Sequence, residues 1–194
     1  MMRTKSLGIV SASLLSLLAL SCSDGPEDEV SDDVFLQALR DSYVDRKACS
    51  QIGTRPRDGV IAQVPSIRSN PQLDALVDAG LLTRRQDGIG LNYSLTDAIR
   101  PYLKNGQSLE GAPSLCFADI EVTGIDSFTE PTETFGSTVS NVRFTTALTN
   151  IEPWAANVFA GTDYLPWIQG EPREGATDLI LTSSGWIPQS ELQK

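Results

Sequence analysis

The side chains able to do chemistry are few, and one type is missing altogether: the 194-residue chain has no histidine. Without an imidazole there is no Ser-His-Asp or Cys-His nucleophile system, no histidine-ligated zinc and no histidine acid–base step near neutral pH. Lys5, Lys47, Lys104 and Lys194 all lack a serine three residues earlier, so the Ser-x-x-Lys arrangement of serine–lysine hydrolases is excluded. Tyr43 and Lys47 have the Tyr-x-x-x-Lys spacing of a hydride-transfer site, but no G-x-G-x-x-G accompanies them, and they read as surface residues. Gly88-Ile89-Gly90 has no Lys-Ser or Lys-Thr behind it and reads as a hairpin tip, not a phosphate loop. The acidic runs lack EF-hand spacing, and neither a metal nor a cofactor is implied. What remains is carboxylates and aromatics. Glu130 with Glu133, or Glu152 with Asp163, could flank a glycosidic bond, with Trp154, Tyr164 and Trp167 stacking on sugar rings. The competing reading is that loop acids are solvated and that tryptophan beside proline packs a loop onto a sheet.

The elements that would hold these residues follow from periodicity. Ser31 or Asp32 caps a helix that runs to about Ala48 with Phe35, Leu39 and Tyr43 on one face, placing Cys49 at its end. Residues 50–66 break regular structure, with Val60, Ile61 and Val64 as a short strand or buried turn. Asn70-Pro71 then starts a helix carrying Leu73, Leu76 and Val77, and Gly80 ends it. Leu81-Leu82-Thr83 opens a strand, Gln86-Asp87-Gly88 turns it, Leu91, Tyr93 and Leu95 alternate on the return, and Thr96-Asp97 caps a helix through Leu103. From Leu115 the pattern is β, with three antiparallel strands as the minimum. Glu130 to Gly136 connects the first two strands. The long connection 150–176 has room for a short helix over Trp154–Phe159.

At the N-terminus, Arg3 and Lys5 precede an apolar stretch from Leu7 to Leu20, followed by Ser21, Cys22 and a polar segment. That is the layout of a signal peptide, and its apolar run is shorter than the roughly 20 residues a membrane-spanning helix needs. Leu18-Ala19-Leu20-Ser21-Cys22 resembles the lipobox of bacterial lipoproteins, with Ala19 where leucine is usual. The resemblance implies cleavage before Cys22 and acylation of its thiol with palmitate-type chains, a stable anchor that leaves the folded part in water. By the sorting rule of Gram-negative lipoproteins, Ser23 implies the outer membrane. Ala19-Leu20-Ser21 also fits ordinary small-x-small cleavage, which would leave Cys22 a free thiol on a soluble periplasmic protein. With Cys22 acylated, Cys49 and Cys116 form an even pair in an oxidising compartment and are expected to be a disulfide, two separate buried thiols being the alternative.

Two further resemblances cover parts of the remainder. The string LDALVDAGLLTRR with YSLTDAIRPYL resembles the helix-and-wing portion of winged-helix domains. That implies a helix laid over a hairpin. DNA binding is not expected, since export removes the chain from nucleic acid and Arg84-Arg85 stands beside Asp74, Asp78 and Asp87. The string from FADIEVTG to LILTSSGW resembles the C-terminal half of uncharacterised Gram-negative envelope proteins, which implies location and no chemistry.

The expected organisation is a signal peptide over 1–21, the acylated cysteine with an acidic tether over 22–31, a helical and winged-helix-like part over 32–110 and an antiparallel β part over 111–194. The fold class expected is α+β. Residues 40–104 hold ten basic and seven acidic side chains, whereas 105–194 hold three and twelve. This asymmetry reads either as complementary packing of the halves or as a basic middle that meets an anionic envelope component. The function expected is non-enzymatic: a protein anchored by lipid to the outer membrane, facing the periplasm and binding an envelope protein, with Trp154, Tyr164 and Trp167 as candidate contact residues. The alternative is a carboxylate hydrolase acting on peptidoglycan or another glycan.

Overall fold

The computed structural model describes residues 30–65, 68, 70–104 and 111–192. The expected signal segment, Cys22 and most of the expected acidic tether lie outside the described residues. The first helix, α1 (Asp32–Tyr43), starts where Ser31 accepts the Val34 N–H with its side chain at 3.3 Å and two aspartates occupy the positive end of the helix. It stops earlier than the apolar spacing suggests. Asp45 adopts φ +62°, a left-handed conformation that no helix continues, and Lys47–Gln51 is thereby freed to form strand β1. Cys49 therefore sits in a strand and not at a helix end.

Strand β2 (Val60–Pro65) follows, then α2 (Pro71–Asp78), whose Leu73 N–H is capped by the Asn70 side chain at 3.1 Å. The hairpin of β3 (Leu82–Asp87) and β4 (Gly90–Leu95) comes next. The second helix expected here is only a 3-10 turn, Asp97–Tyr102, containing Pro101. Because β2 pairs with β4, the unit is a three-stranded sheet of order β2-β4-β3 with one helix, not a helix–hairpin–helix.

Residues 114–192 supply β5 (Ser114–Phe128), β6 (Thr132–Thr134), β7 (Ser137–Thr149), β8 (Arg173–Thr182) and β9 (Gly185–Pro188). Between β7 and β8 lie two single-turn helices, α3 (Ala155–Val158) and α4 (Leu165–Ile168). The second sheet is antiparallel and six-stranded, of order β1-β5-β7-β8-β9, with β6 beside β7.

The expected α+β class is therefore corrected. The protein is mostly β, and among the described residues only α1 and α2 exceed one α-helical turn. The physical reason is that β1 comes from the N-terminal half yet pairs along β5, so the supposed helical part contributes a strand to the C-terminal sheet. Among the described residues no helix is long and apolar enough to cross a membrane.

Two apolar clusters divide β5. Leu115, Phe117 and Ala118 join Leu76, Tyr93, Ile99, Phe159 and Trp167 beneath the small sheet, while Val122 joins Phe35, Leu39, Phe144, Leu179 and Trp186 beneath α1. Helix α1 runs antiparallel to β5. Phe35, in its first turn, meets Phe128 edge-on at 4.9 Å, whereas Arg40 donates to the Val122 carbonyl at 3.2 Å and the Arg46 carbonyl accepts from Ile120 N–H at 2.9 Å. The start of α1 therefore lies at the Phe128 end of the large sheet, and its exit at the other.

Candidate functional site

Cys49 and Cys116 are directly opposed in the β1–β5 register and are disulfide-bonded, with Cα atoms 3.9 Å apart. The register shifts between Ala48 and Cys49, where Phe117 is the extra residue of β5, and this permits the alignment because the alternation of side chains along β5 is reset there. The bond lines a groove of about 810 Å³. One wall is the turn out of α1, with Asp45, Arg46 and Lys47. The other is the exit of the 3-10 turn, Pro101 to Lys104, with Ile120 on β5 between them. A smaller depression that shares Lys47, Pro101, Tyr102 and Cys116 continues it toward Asn150 and Glu152.

The charges of this groove are unequal. Lys47 is neutralised by Asp119, whose second oxygen accepts from Asn150 Nδ2 at 2.8 Å. Those hydrogen bonds, the Lys47 one foremost, hold the Asp119 carboxyl below the usual aspartate range against the opposing effect of burial. Arg46 lies over the Tyr43 ring, 4.4 Å from its centroid, and neither Arg46 nor Lys104 has a carboxylate partner among the described residues. Among the described residues Asp45 is the remaining acid in the groove's own walls, so these walls carry an excess of positive charge on a lining that also includes Tyr102, Leu103 and the disulfide, with Glu152 in the adjoining depression.

The aromatic residues picked out by sequence are placed differently from one another. Trp167 is in the core at 8% exposure, and its Nε1 donates to the Thr146 carbonyl at 3.4 Å. Tyr164 is half-buried between Phe117 and Phe159, and Arg173 caps it and Trp167 at 5.3 and 4.8 Å. These two pack the β7–β8 connection onto the sheet and do not offer a shared open surface. Trp154 is half-buried and meets Tyr102 edge-on at 5.5 Å, so it supports the groove from behind. The carboxylates are also dispersed. Glu130 and Glu133 are exposed at the β6–β7 hairpin, where Glu133 accepts from Thr138 at 2.7 Å; Asp163 is exposed, and of the four only Glu152 comes near, lining the smaller depression beside the groove.

Among the described residues, no three Cys, Asp or Glu side chains converge where a metal ion would sit. Sequence reasoning missed Arg46, Tyr102 and Lys104 as site residues. The basic excess over 40–104 was their only signal, and it did not say which cations would be left without carboxylates. No family model matches the chain, and no curated protein or solved structure is significantly similar to it.

Proposed function

We propose that this protein is a lipid-anchored, non-enzymatic binding module of the cell envelope, attached through Cys22 to the outer membrane and facing the periplasm. Its groove between the α1 exit and the 3-10 turn would receive an acidic segment of an envelope protein. The observation that carries the reading is the groove itself: a volume in the range of ligand-binding clefts, a partly apolar lining, and two cations, Arg46 and Lys104, without carboxylate partners among the described residues. A partner carboxylate would gain charge-assisted hydrogen bonds from both, while Tyr102 and Leu103 bury its apolar neighbours. The position of the groove fits this arrangement. It lies at the Ile120 end of β5, away from the Phe128 end at which α1 begins.

The test is a photo-reactive side chain at Leu103 in membrane-bound protein, with the captured peptide identified by mass spectrometry, in the native background and with Arg46→Glu plus Lys104→Glu. Capture of one acidic segment that disappears in the charge-reversed protein, and weakens with salt, supports the reading. Identical capture in both backgrounds refutes it. Intact mass of the membrane-extracted protein tests the anchor separately, because an unmodified Cys22 is incompatible with it.

A further inference from the structure

The turn between β6 and β7 contains two unfavourable features at one residue. Phe135 has φ +51°, in the left-handed region that a bulky side chain rarely adopts, and its side chain is fully exposed, at 106% of the reference. Gly136 follows at φ +80°, so the pair makes a tight hairpin turn of the kind in which asparagine–glycine is the unstrained choice. A phenylalanine there is strained in its backbone and unpartnered in its side chain. Backbone strain of this kind persists where the surroundings over-determine it, and it is concentrated at sites that act.

The placement of the turn identifies what it would touch. Strand β5 pairs with β7 as far as Phe128 opposite Val142, and β7 then continues to Ser137 with β6 in place of β5. The tip therefore projects about 17 Å past Phe128, five residues at about 3.3 Å each. The β8–β9 turn, Ser183-Ser184, lies at the same end, because β8 follows β7 outward from Leu179 opposite Ser140 to Thr182. Around Phe135 the exposed side chains are mostly small and uncharged, namely Thr132, Thr134, Ser183 and Ser184, with Glu133 the acid nearest the tip. Val30 lies just before α1, whose Phe35 meets Phe128 at the base of this end, and packs against the same apolar cluster. Seven residues, hence eight Cα-to-Cα steps, separate it from Cys22, a reach of at most about 28 Å, which exceeds the projection of the tip.

We infer that Phe135 is a membrane-contact residue: the β6–β7 tip inserts its ring among the headgroups and upper acyl chains of the bilayer that holds the anchor. A single lipid-tethered point leaves a domain free to rotate. A second, apolar contact at the same end fixes its orientation and holds the groove outward. The inference rests on the lipid-anchor reading for its geometry.

The experiment couples the mature chain, through the Cys22 thiol, to a maleimide phospholipid in phosphatidylcholine vesicles with or without brominated acyl chains. The emission added by Phe135→Trp is then read against protein carrying only the native tryptophans. The expected result is a blue-shifted added emission that is lost when the bromine lies just below the headgroups. An added emission that remains water-like and unquenched overturns the inference, including the case in which the tip serves a protein partner instead. Because the tether is imposed chemically, that outcome is distinct from failure of the anchor reading, which is judged by the native mass of Cys22.

Discussion

Removing the Cys49–Cys116 bond by Cys49→Ala with Cys116→Ala tests how the two halves of the chain are held together. The cysteines are 67 residues apart in sequence. Cross-linking over that separation removes about 15 cal/mol/K of entropy from the unfolded chain on the loop-closure model, or about 4 kcal/mol at 25 °C. The native state should lose little else, since Ala48 opposite Ala118 and Ser50 opposite Leu115 still register β1 on β5. A domain of this size typically has 5–15 kcal/mol in total, so the variant should remain folded but lie much closer to the midpoint. Urea unfolding is readily followed through the buried Trp167 and Trp186. With a slope of roughly 2 kcal/mol/M, the midpoint should fall by about 2 M. A fall of less than about 0.5 M, with an unchanged slope, would refute the reasoning and mean that the unfolded chain is already compact around these residues.

Four smaller experiments probe other parts of the structure. Phe135→Gly should stabilise the protein by about 1 kcal/mol in urea unfolding, because it relieves a left-handed backbone and removes no packing; destabilisation would show that the ring has a folded-state partner. Gly53→Ala should cost about 2–3 kcal/mol by the same measurement, since φ is +62° and the new Cβ would meet the Ile61 carbonyl oxygen at 2.6 Å. Asp74→Ala should cost about 1–3 kcal/mol, because the hydroxyl of the fully buried Tyr93 donates to Asp74 at 2.8 Å and would lose that acceptor, while Arg84 loses its ion-pair partner; if Tyr93→Phe in that background restores nothing, the Tyr93 hydrogen bond is not the cause. Asp119 has its folded pKa depressed, chiefly by Lys47, so its contribution is complete above the unfolded aspartate pKa near 4 and is lost as pH falls through the folded value. Lys47→Gln should therefore flatten the acid limb of stability against pH, and an unchanged limb would assign that limb to other carboxylates.

The groove illustrates how little of a cleft's lining a sequence exposes. Arg46 and Lys104 are 58 residues apart and meet only because β1 lies against β5 and Leu103 bridges to Leu115. Nothing local marks either as special. Asp119 neutralises Lys47 from a distant segment, and this long-range pairing decides which cations stay available. Trp167 shows the reverse case. Its type and its neighbouring proline fit a contact loop and a packed loop equally well, and only the Thr146 carbonyl and the Arg173 guanidinium around it select the second.

What the sequence by itself determined is local in origin. The absence of histidine limits the chemistry whatever the fold, the Ser31 and Asn70 caps start their helices through bonds spanning three residues, and the Leu91, Tyr93 and Leu95 alternation marks the return strand of a hairpin closed by a two-residue turn. What only the tertiary structure decided is non-local: that α1 stops at Tyr43 so that residues 47–51 become a strand, that this strand joins a sheet built from the far half of the chain, and that the class is mostly β. Apolar periodicity through Ala48 suited a longer helix, but pairing of β1 along β5 buries Ala48 in the core shared with the far half of the chain. Segment preference amounts to tenths of a kcal/mol per residue, and packing over many contacts outweighs it.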